Sequence, residues 1–202
     1  MLRFFSPPNQ LTFLRILLTP VFVGMYLSQD PTIRQLSLAV FVIAMLTDWY
    51  DGWVARRWGF VTRWGTFFDP FADKVFISSA LFAFVAVGLV PGWTVWAIVG
   101  RDVVITFLRS YSELKGRPFD TSRLAKSKTF FQFLAICYIL VLDVARTMTS
   151  LENSWRDTVN SLLSRTIIDP LMIFAATFTL ITGIAYIITN RTTLRKLYGL
   201  SD

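Results

Sequence analysis

The chain has 202 residues, of which 54% are hydrophobic, 16% aromatic and only 16% charged. A soluble domain of this size needs more polar surface than this composition supplies. The absence of histidine and the single cysteine, Cys137, exclude a disulfide framework and the usual zinc and copper sites. The net charge of +7 suits contact with anionic lipid. Continuous apolar runs without two-residue alternation therefore predict an all-α, polytopic membrane protein.

Six apolar segments are long enough to cross a bilayer core as helices, which takes about 20 residues each. They cover residues 10–28, 33–56, 66–89, 92–114, 125–145 and 166–189. The connection 146–165 is polar with apolar residues at helical spacing, so we expect it to lie on the membrane surface. The start, "MLRFFSPPNQ", shows no small-residue cleavage site, so we expect no cleavable signal. We expect one domain over residues 1–202.

Basic residues predict the orientation of these helices, because cytoplasmic connections carry an excess of lysine and arginine. If the N-terminus is cytoplasmic, the inside connections and the tail contain Arg56, Arg57, Arg63, Lys115, Arg117, Arg123, Lys126, Lys128, Arg191, Arg195 and Lys196. The outside connections contain Arg34, Arg146, Arg156 and Arg165, offset by acidic residues. The sequence therefore predicts six transmembrane helices with both termini in the cytoplasm.

The stretch "DWYDGWVARRWGFVTRWGTFFDPFADK", residues 48–74, places four aspartates at the cytoplasmic ends of the second and third predicted helices. Asp48 and Asp51 are three residues apart and Asp69 and Asp73 are four apart, so each pair shares one helix face. Carboxylates this close cannot all stay ionised unless a cation neutralises them. Oxygen ligands alone favour Mg²⁺, Mn²⁺ or Ca²⁺, and Mg²⁺ binds carboxylates together with substrate phosphates. The stretch predicts a divalent-metal site.

Small residues and an arginine accompany these carboxylates. Gly52 and Ala55 lie beside Asp51, and Gly65 opens the third predicted helix. Small side chains let another helix or a flat ligand approach the backbone closely. Arg56 offers a planar, bidentate partner for a phosphate. Each residue taken singly also fits an interfacial charge or a packing position, but their combination in one place favours a site for a phosphorylated ligand.

The full pattern resembles the signature of the CDP-alcohol phosphotransferase family. It runs Asp48-x-x-Asp51-Gly52-x-x-Ala55-Arg56, eight residues, Gly65, three residues, Asp69, three residues, Asp73, and every signature position is filled. The resemblance implies six transmembrane helices, a homodimer and a cytoplasm-facing polar cavity. It also implies Mg²⁺- or Mn²⁺-dependent transfer of a phosphoalcohol from a CDP-linked donor to a second alcohol, with release of CMP.

The resemblance further implies roles for individual residues. Asp48, Asp51 and Asp69 would hold the metal, with Asp73 a further ligand or the general base. The residues lining the cytidine and pyrophosphate site would be Gly52, Ala55, Arg56 and Gly65.

Three more segments are similar to the members of this family that form phosphatidylglycerophosphate. They are "PPNQLTFLRI" near the start, which cardiolipin-forming members share, "GRDVVITFLR" (residues 100–109) and "LAKSKTFFQ" (residues 124–132). Asp102 stands where glutamate is usual, and Ala125 replaces a glycine. The resemblance implies CDP-diacylglycerol as donor and glycerol 3-phosphate as acceptor, at the inner membrane of a bacterium.

The chemistry of this acceptor agrees, because its phosphate needs fixed cations. Arg101 lies near the middle of the fourth predicted helix, where an isolated charge costs at least about 2.5 kcal/mol. Arg109 is eight residues further, at about 80° around the helix, and Lys126 and Lys128 start the fifth. We expect these four to bind the acceptor phosphate. The alternatives are a structural ion pair for Arg101 and ordinary positive-inside residues for the lysines.

Two other functions fit parts of the sequence. A cardiolipin synthase would use phosphatidylglycerol as acceptor, and arginine followed by aspartate in the fourth helix is compatible with it. A divalent-cation transporter would also place carboxylates in membrane helices. The aspartates, however, all lie at one side, and the other half of the predicted membrane region has no ladder of carboxylates. The transporter is therefore the more remote alternative.

Overall fold

The computed structural model describes the backbone of residues 7–58, 63–115, 119, 123–148 and 153–197. It describes the side chains of residues 13–47, 50, 71–113, 115, 119, 129–148 and 155–195. These parts of the chain contain eight helices and no strand, which confirms the all-α prediction. The helices are α1 (Pro7–Tyr26), α2 (Pro31–Trp58), α3 (Arg63–Ala86), α4 (Gly92–Leu114), α5 (Arg123–Ala145), α6 (Asn153–Leu162), α7 (Arg165–Thr189) and α8 (Arg191–Leu197).

The six predicted apolar segments coincide with α1, α2, α3, α4, α5 and α7 to within three residues at either end. Helix α6 lies in the connection whose apolar residues recur at helical spacing. Helix α8 was not predicted, because the tail was interpreted only through its charges. The backbone N–H of Leu194 donates to the Asn190 carbonyl at 2.9 Å, so α8 follows α7 almost directly.

Local signals explain where the helices begin and end. Asp30 Oδ1 accepts the backbone N–H of Thr32 at 2.8 Å and caps α2 just before its first residue, Pro31. Gly88 has a φ of 74°, and the N–H groups of Gly88 and Leu89 donate to carbonyls in the last turn of α3. Glycine adopts this left-handed conformation without a steric cost, so it ends the helix cleanly.

The chain divides into two compact units. The first comprises Met1–Leu89 and Ile139–Ser164, and the second comprises Val90–Tyr138 and Arg165–Asp202.

Aromatic rings form the core of the first unit, where α1 packs against α2 and α3. The ring of Phe22 lies 5.7 Å from that of Phe41 on α2 and 5.6 Å from that of Phe76 on α3. The rings of Tyr26 and Phe84 lie 5.4 Å apart. Contacts therefore advance in the same direction along α1 and α3, so these two helices run parallel, as every second helix of a sequential bundle does.

In the second unit α7 packs against α4. The buried side of α7 repeats at three- and four-residue intervals through Ile168, Met172, Ala175, Ala176, Thr179, Thr182, Gly183 and Tyr186. Small residues in this row let the two helix backbones approach each other closely. Phe131 of α5 contacts Phe174 and Phe178 of α7, with ring centroids 6.2 and 5.9 Å apart.

The surfaces of the helices are strongly apolar. Phe13, Trp96 and Phe174 each expose more than half of their surface. Within the described residues, one stretch, Trp155–Thr189, is long and apolar enough to cross a membrane. Shorter apolar stretches are Phe13–Tyr26, Pro31–Thr47 and Thr129–Ala145. The six-span topology stays a prediction.

Candidate functional site

Both aspartate pairs lie on helices of the first unit. Asp48 and Asp51 belong to α2, and Asp69 and Asp73 belong to α3, so the helical spacing that puts each pair on one face is present. The side chains of Asp48, Asp51 and Asp69 lie outside the described residues. The same holds for the other residues of the signature, Gly52, Ala55, Arg56 and Gly65. Their roles stay predictions.

Asp73 is the signature residue whose side chain is described. Its Oδ1 accepts a hydrogen bond from Nη1 of Arg15 on α1, 58 residues earlier in the chain. The Arg15 side chain is 1% exposed, whereas that of Asp73 is 41% exposed. The guanidinium therefore contacts the carboxylate from the protein interior, while the carboxylate itself remains accessible from outside.

Another carboxylate of the first unit, Asp143, is fully buried. Its Oδ2 accepts a hydrogen bond from the Tyr26 hydroxyl at 2.6 Å and another from Arg34 Nη2. Arg146 Nη2 lies 2.8 Å from Oδ1. The Arg34 guanidinium also stacks over the Tyr26 ring, 4.9 Å from its centroid. We call Tyr26, Arg34, Asp143 and Arg146 the Asp143 cluster; it joins the last turn of α1 to the start of α2 and the end of α5.

The side chain of Arg101 is 12% exposed and is held by residues of the second unit. Its Nη1 donates to Asp102 Oδ1 at 3.1 Å, and its Nη2 donates to Thr182 Oγ1 on α7 at 3.3 Å. Asp102 supplies the structural carboxylate that the sequence analysis kept as an alternative for Arg101. The Nε of Arg101 is buried, and no hydrogen-bond partner is found for it in the described part of the chain.

Gly183 provides the space that the Arg101 side chain occupies. A Cβ atom added at Gly183 would lie 2.7 Å from Arg101 Nε and 2.9 Å from its Cγ, closer than real Cβ contacts. Any larger residue at this position would therefore displace the arginine.

The Tyr186 hydroxyl lies one turn further along α7. It is buried, with no hydrogen-bond partner among the described residues. The Tyr186 ring meets that of Phe119 edge-on, with the centroids 5.7 Å apart. The charged groups that act on this phenol are Arg109, Glu113 and Arg101. A buried hydroxyl of this kind is a donor that a bound polar group can satisfy.

The other predicted acceptor residues are placed with less detail. Arg109 is 53% exposed on α4, and its Nε donates to Glu113 Oε1 at 2.9 Å. Lys126 and Lys128 belong to the first turns of α5, but their side chains lie outside the described residues. The structure therefore describes two of the four predicted cations, and both are on α4.

Sequence reasoning missed three residues. Arg15 ends the segment "PPNQLTFLR", but its position as a charge inside an apolar run was not weighed. Thr182 and Gly183 lie in a segment that carried only a hydropathy signal. A buried cation on α4 could have directed attention to small and hydroxylated residues on a neighbouring helix.

Comparison with known proteins defines the family. The model of the CDP-alcohol phosphatidyltransferase family matches residues 5–156, about three quarters of the chain. The chain belongs to this family. The match includes the whole signature from Asp48 to Asp73 as well as Arg15, Arg101 and Arg109, and it ends before α7.

Several bacterial relatives carry the name CDP-diacylglycerol–glycerol-3-phosphate 3-phosphatidyltransferase. The Bacillus subtilis protein is 35% identical over 158 residues, covering 72% of this chain and 82% of the relative. A Rickettsia felis protein is 34% identical over 134 residues, covering 66% of this chain and 74% of the relative. A Salmonella paratyphi A protein is 33% identical over 141 residues, covering 67% and 77%. The family predicted from the signature is confirmed.

Proposed function

We propose that the chain transfers the phosphatidyl group of CDP-diacylglycerol to glycerol 3-phosphate, releasing CMP and forming phosphatidylglycerophosphate. The observation that carries this proposal is the 33–35% identity to family members named for this reaction. Arg101 of α4 supports it independently, because a nearly buried cation in an apolar helix suits an acceptor that brings its own phosphate.

Asp48, Asp51, Asp69 and Asp73 are the residues that would hold Mg²⁺ or Mn²⁺. Their donor chemistry fits these ions, since all are carboxylates and the chain contains no histidine. No group of three such ligands occurs among the side chains that the structure describes, which include only Asp73 of the four. When bound, such an ion neutralises the pyrophosphate and makes CMP a better leaving group.

The reaction exchanges one phosphorus–oxygen bond for another. The hydroxyl oxygen of glycerol 3-phosphate bonds to the phosphorus that carries the diacylglycerol, while the bond from that phosphorus to CMP breaks. CMP leaves with the bonding electron pair, in line with the attacking oxygen, and Asp73 takes the hydroxyl proton. Gly52, Ala55, Arg56 and Gly65 line the site of the cytidine and pyrophosphate.

The acceptor phosphate binds to the cations of α4 and α5. Arg101 and Arg109 supply two of them, and Lys126 and Lys128 supply the others. Asp102 and Thr182 orient the Arg101 guanidinium, and its buried Nε is a donor that an anion satisfies. The ion pair with Asp102 therefore supports the binding role of Arg101 rather than replacing it.

The membrane arrangement completes the proposal. The chain forms one domain with six transmembrane helices in a bacterial inner membrane, both termini and the active site face the cytoplasm, and the protein is a homodimer. The apolar exposed surfaces of the helices support contact with lipid, and the parallel course of α1 and α3 agrees with alternating spans.

CMP release by purified protein tests the proposal, with CDP-diacylglycerol, Mg²⁺ and one acceptor at a time. Release with glycerol 3-phosphate but not with phosphatidylglycerol is expected. Release only with phosphatidylglycerol would indicate a cardiolipin synthase and move the acceptor site. A transporter would bind the metal regardless of CDP, whereas the proposed enzyme binds CDP only in the presence of the metal.

A further inference from the structure

We propose that Arg15 of α1 is a positioning residue that fixes the carboxylate of Asp73 in the orientation needed for proton transfer. The inference rests on the proposed function and adds a residue to it. It follows from three observations: the burial of Arg15, the exposure of Asp73, and the aromatic packing that joins α1 to α3.

Burial shows that Arg15 acts from the interior. Its side chain is 1% exposed, and a buried charge is expensive unless a partner compensates it. Asp73 is the partner across the helix interface, and 41% of its side chain is exposed. One carboxylate thus connects a buried cation to the accessible surface.

The packing of α1 against α3 fixes the position along the helix axes at which Arg15 contacts Asp73. Arg15, Phe22 and Tyr26 follow one another at seven- and four-residue intervals, so they lie along one face of α1. The latter two contact Phe76 and Phe84 on α3. The Thr19 hydroxyl donates to the Arg15 carbonyl at 2.9 Å within the same row. A close-packed aromatic interface does not slide, so the position of Arg15 is set by the core.

This arrangement has a consequence for the reaction. A displacement of about 1 Å at a reacting group costs about a hundredfold in rate. The guanidinium binds Oδ1 and restricts the carboxylate to one orientation. Arg15 therefore lowers the barrier of the chemical step and contributes little to the affinity for either substrate.

Substitutions at Arg15 and Asp73 test this role through the division of the effect between kcat and KM. Arg15→Met removes the charge but keeps apolar volume, and we expect kcat for CMP release to fall about a hundredfold while both KM values change by less than about threefold. Arg15→Lys restores a point charge without the planar fork, so its kcat is expected between those of Arg15→Met and the wild type. In Asp73→Asn protein, adding Arg15→Met should cause no further loss of kcat.

A binding measurement and a matched arginine supply the controls. CDP binding in the presence of Mn²⁺, measured by calorimetry, should change by less than about threefold in Arg15→Met, because all four aspartates and their charges remain. Arg34→Met breaks an ion pair of the same unit, in the Asp143 cluster, and should lower the melting temperature while leaving kcat near that of the wild type.

Several results would overturn the inference. They are a wild-type kcat in Arg15→Met, a loss confined to KM, and a further fall in kcat when Arg15→Met is added to Asp73→Asn. If Arg15→Met does not accumulate, Arg15→Lys decides: a reduced kcat at an unchanged melting temperature supports the role, and a wild-type kcat refutes it. A wild-type protein that releases no CMP refutes the proposed function itself, and this inference with it.

Discussion

Two carboxylates of the first unit contact arginine, one beside the middle of α1 and one beside its last residue, and their surroundings differ. Asp73 meets Arg15 and keeps 41% of its side chain exposed. Asp143 is fully buried and is contacted by Tyr26, Arg34 and Arg146. The same pair of side-chain types thus occurs in two settings. Accessibility, rather than the presence of an ion pair, separates a carboxylate that can act on a ligand from one that holds helices together.

Because their surroundings differ, we expect the loss of Asp73 and the loss of Asp143 to have different consequences. A buried charge pair contributes little net stability, but removing one partner leaves the other uncompensated and costs about 3–5 kcal/mol. Losing Asp143 takes a carboxylate from Arg34 and Arg146, and losing Asp73 takes one from the buried Arg15, so both losses should lower stability. Turnover, by contrast, should depend on Asp73 and not on Asp143.

The largest effect is expected from the carboxylates of the signature. Asp51→Asn removes a predicted metal ligand, so compensation of the pyrophosphate charge is lost and kcat should fall on the order of 10³-fold. CMP release by the assembled, purified variant measures this, with the elution volume as a check on folding. Near-normal turnover would contradict the assignment of Asp51 as a metal ligand.

The next prediction compares the two carboxylates directly. Asp143→Asn leaves Arg34 and Arg146 without this carboxylate. Its free energy of unfolding should therefore fall by about 3–5 kcal/mol, with a lower melting temperature, while kcat stays near that of the wild type. Asp73→Asn is the matched variant: its kcat is expected to fall by about 10²–10⁴, and its melting temperature should fall as well, because the buried Arg15 loses a carboxylate. Thermal unfolding and CMP release are measured on both. Falls in kcat of the same size in the two variants would contradict the difference in role.

A smaller effect is expected in the second unit, where Gly183 makes room for Arg101. The Cβ of Gly183→Ala would meet Arg101 Nε at 2.7 Å, so the flexible side chain must move. The KM for glycerol 3-phosphate should rise about tenfold with little change for CDP-diacylglycerol. Gly24→Ala is the control, because a Cβ there meets no atom within 4 Å. An unchanged acceptor KM in Gly183→Ala would show that the position of Arg101 does not matter for binding.

The smallest effect is expected at the exposed Arg109. Its pair with Glu113 is solvent-accessible and contributes at most about 1 kcal/mol to stability, so Arg109→Ala should fold normally. The acceptor KM should rise a few-fold, by more than the donor KM. Arg191→Ala, which removes an exposed charge on α8, serves as the comparison. An equal rise in both KM values would remove Arg109 from the acceptor pocket.

The sequence predicted the helices well, because their boundaries carry strong local signals. Pro31 and Gly88 mark the start of α2 and the end of α3, and apolar runs fill the spaces between such breaks. The signature aspartates were found because their spacing is local. The helix boundaries and the spacing of the aspartates both depend on residues that are close to one another in the sequence.

The contacts that support the site were not predictable in this way. Arg15 meets Asp73 across 58 residues, and Arg101 meets Thr182 across 81. Local sequence patterns do not predict which face of a helix packs against which neighbouring helix. Glycine in an apolar helix is compatible with many kinds of packing. These residues became visible only when helix packing placed them against charges that the sequence had already identified.

The most direct test of the proposed transfer reaction is to measure the ratio of its two products. Purified protein is incubated with CDP-diacylglycerol, glycerol 3-phosphate and Mg²⁺, and both CMP and the lipid product are quantified, with and without chelator. We expect one phosphatidylglycerophosphate for each CMP, and neither product once the metal is removed. CMP formed without that lipid, or turnover that persists in the chelator, would contradict it.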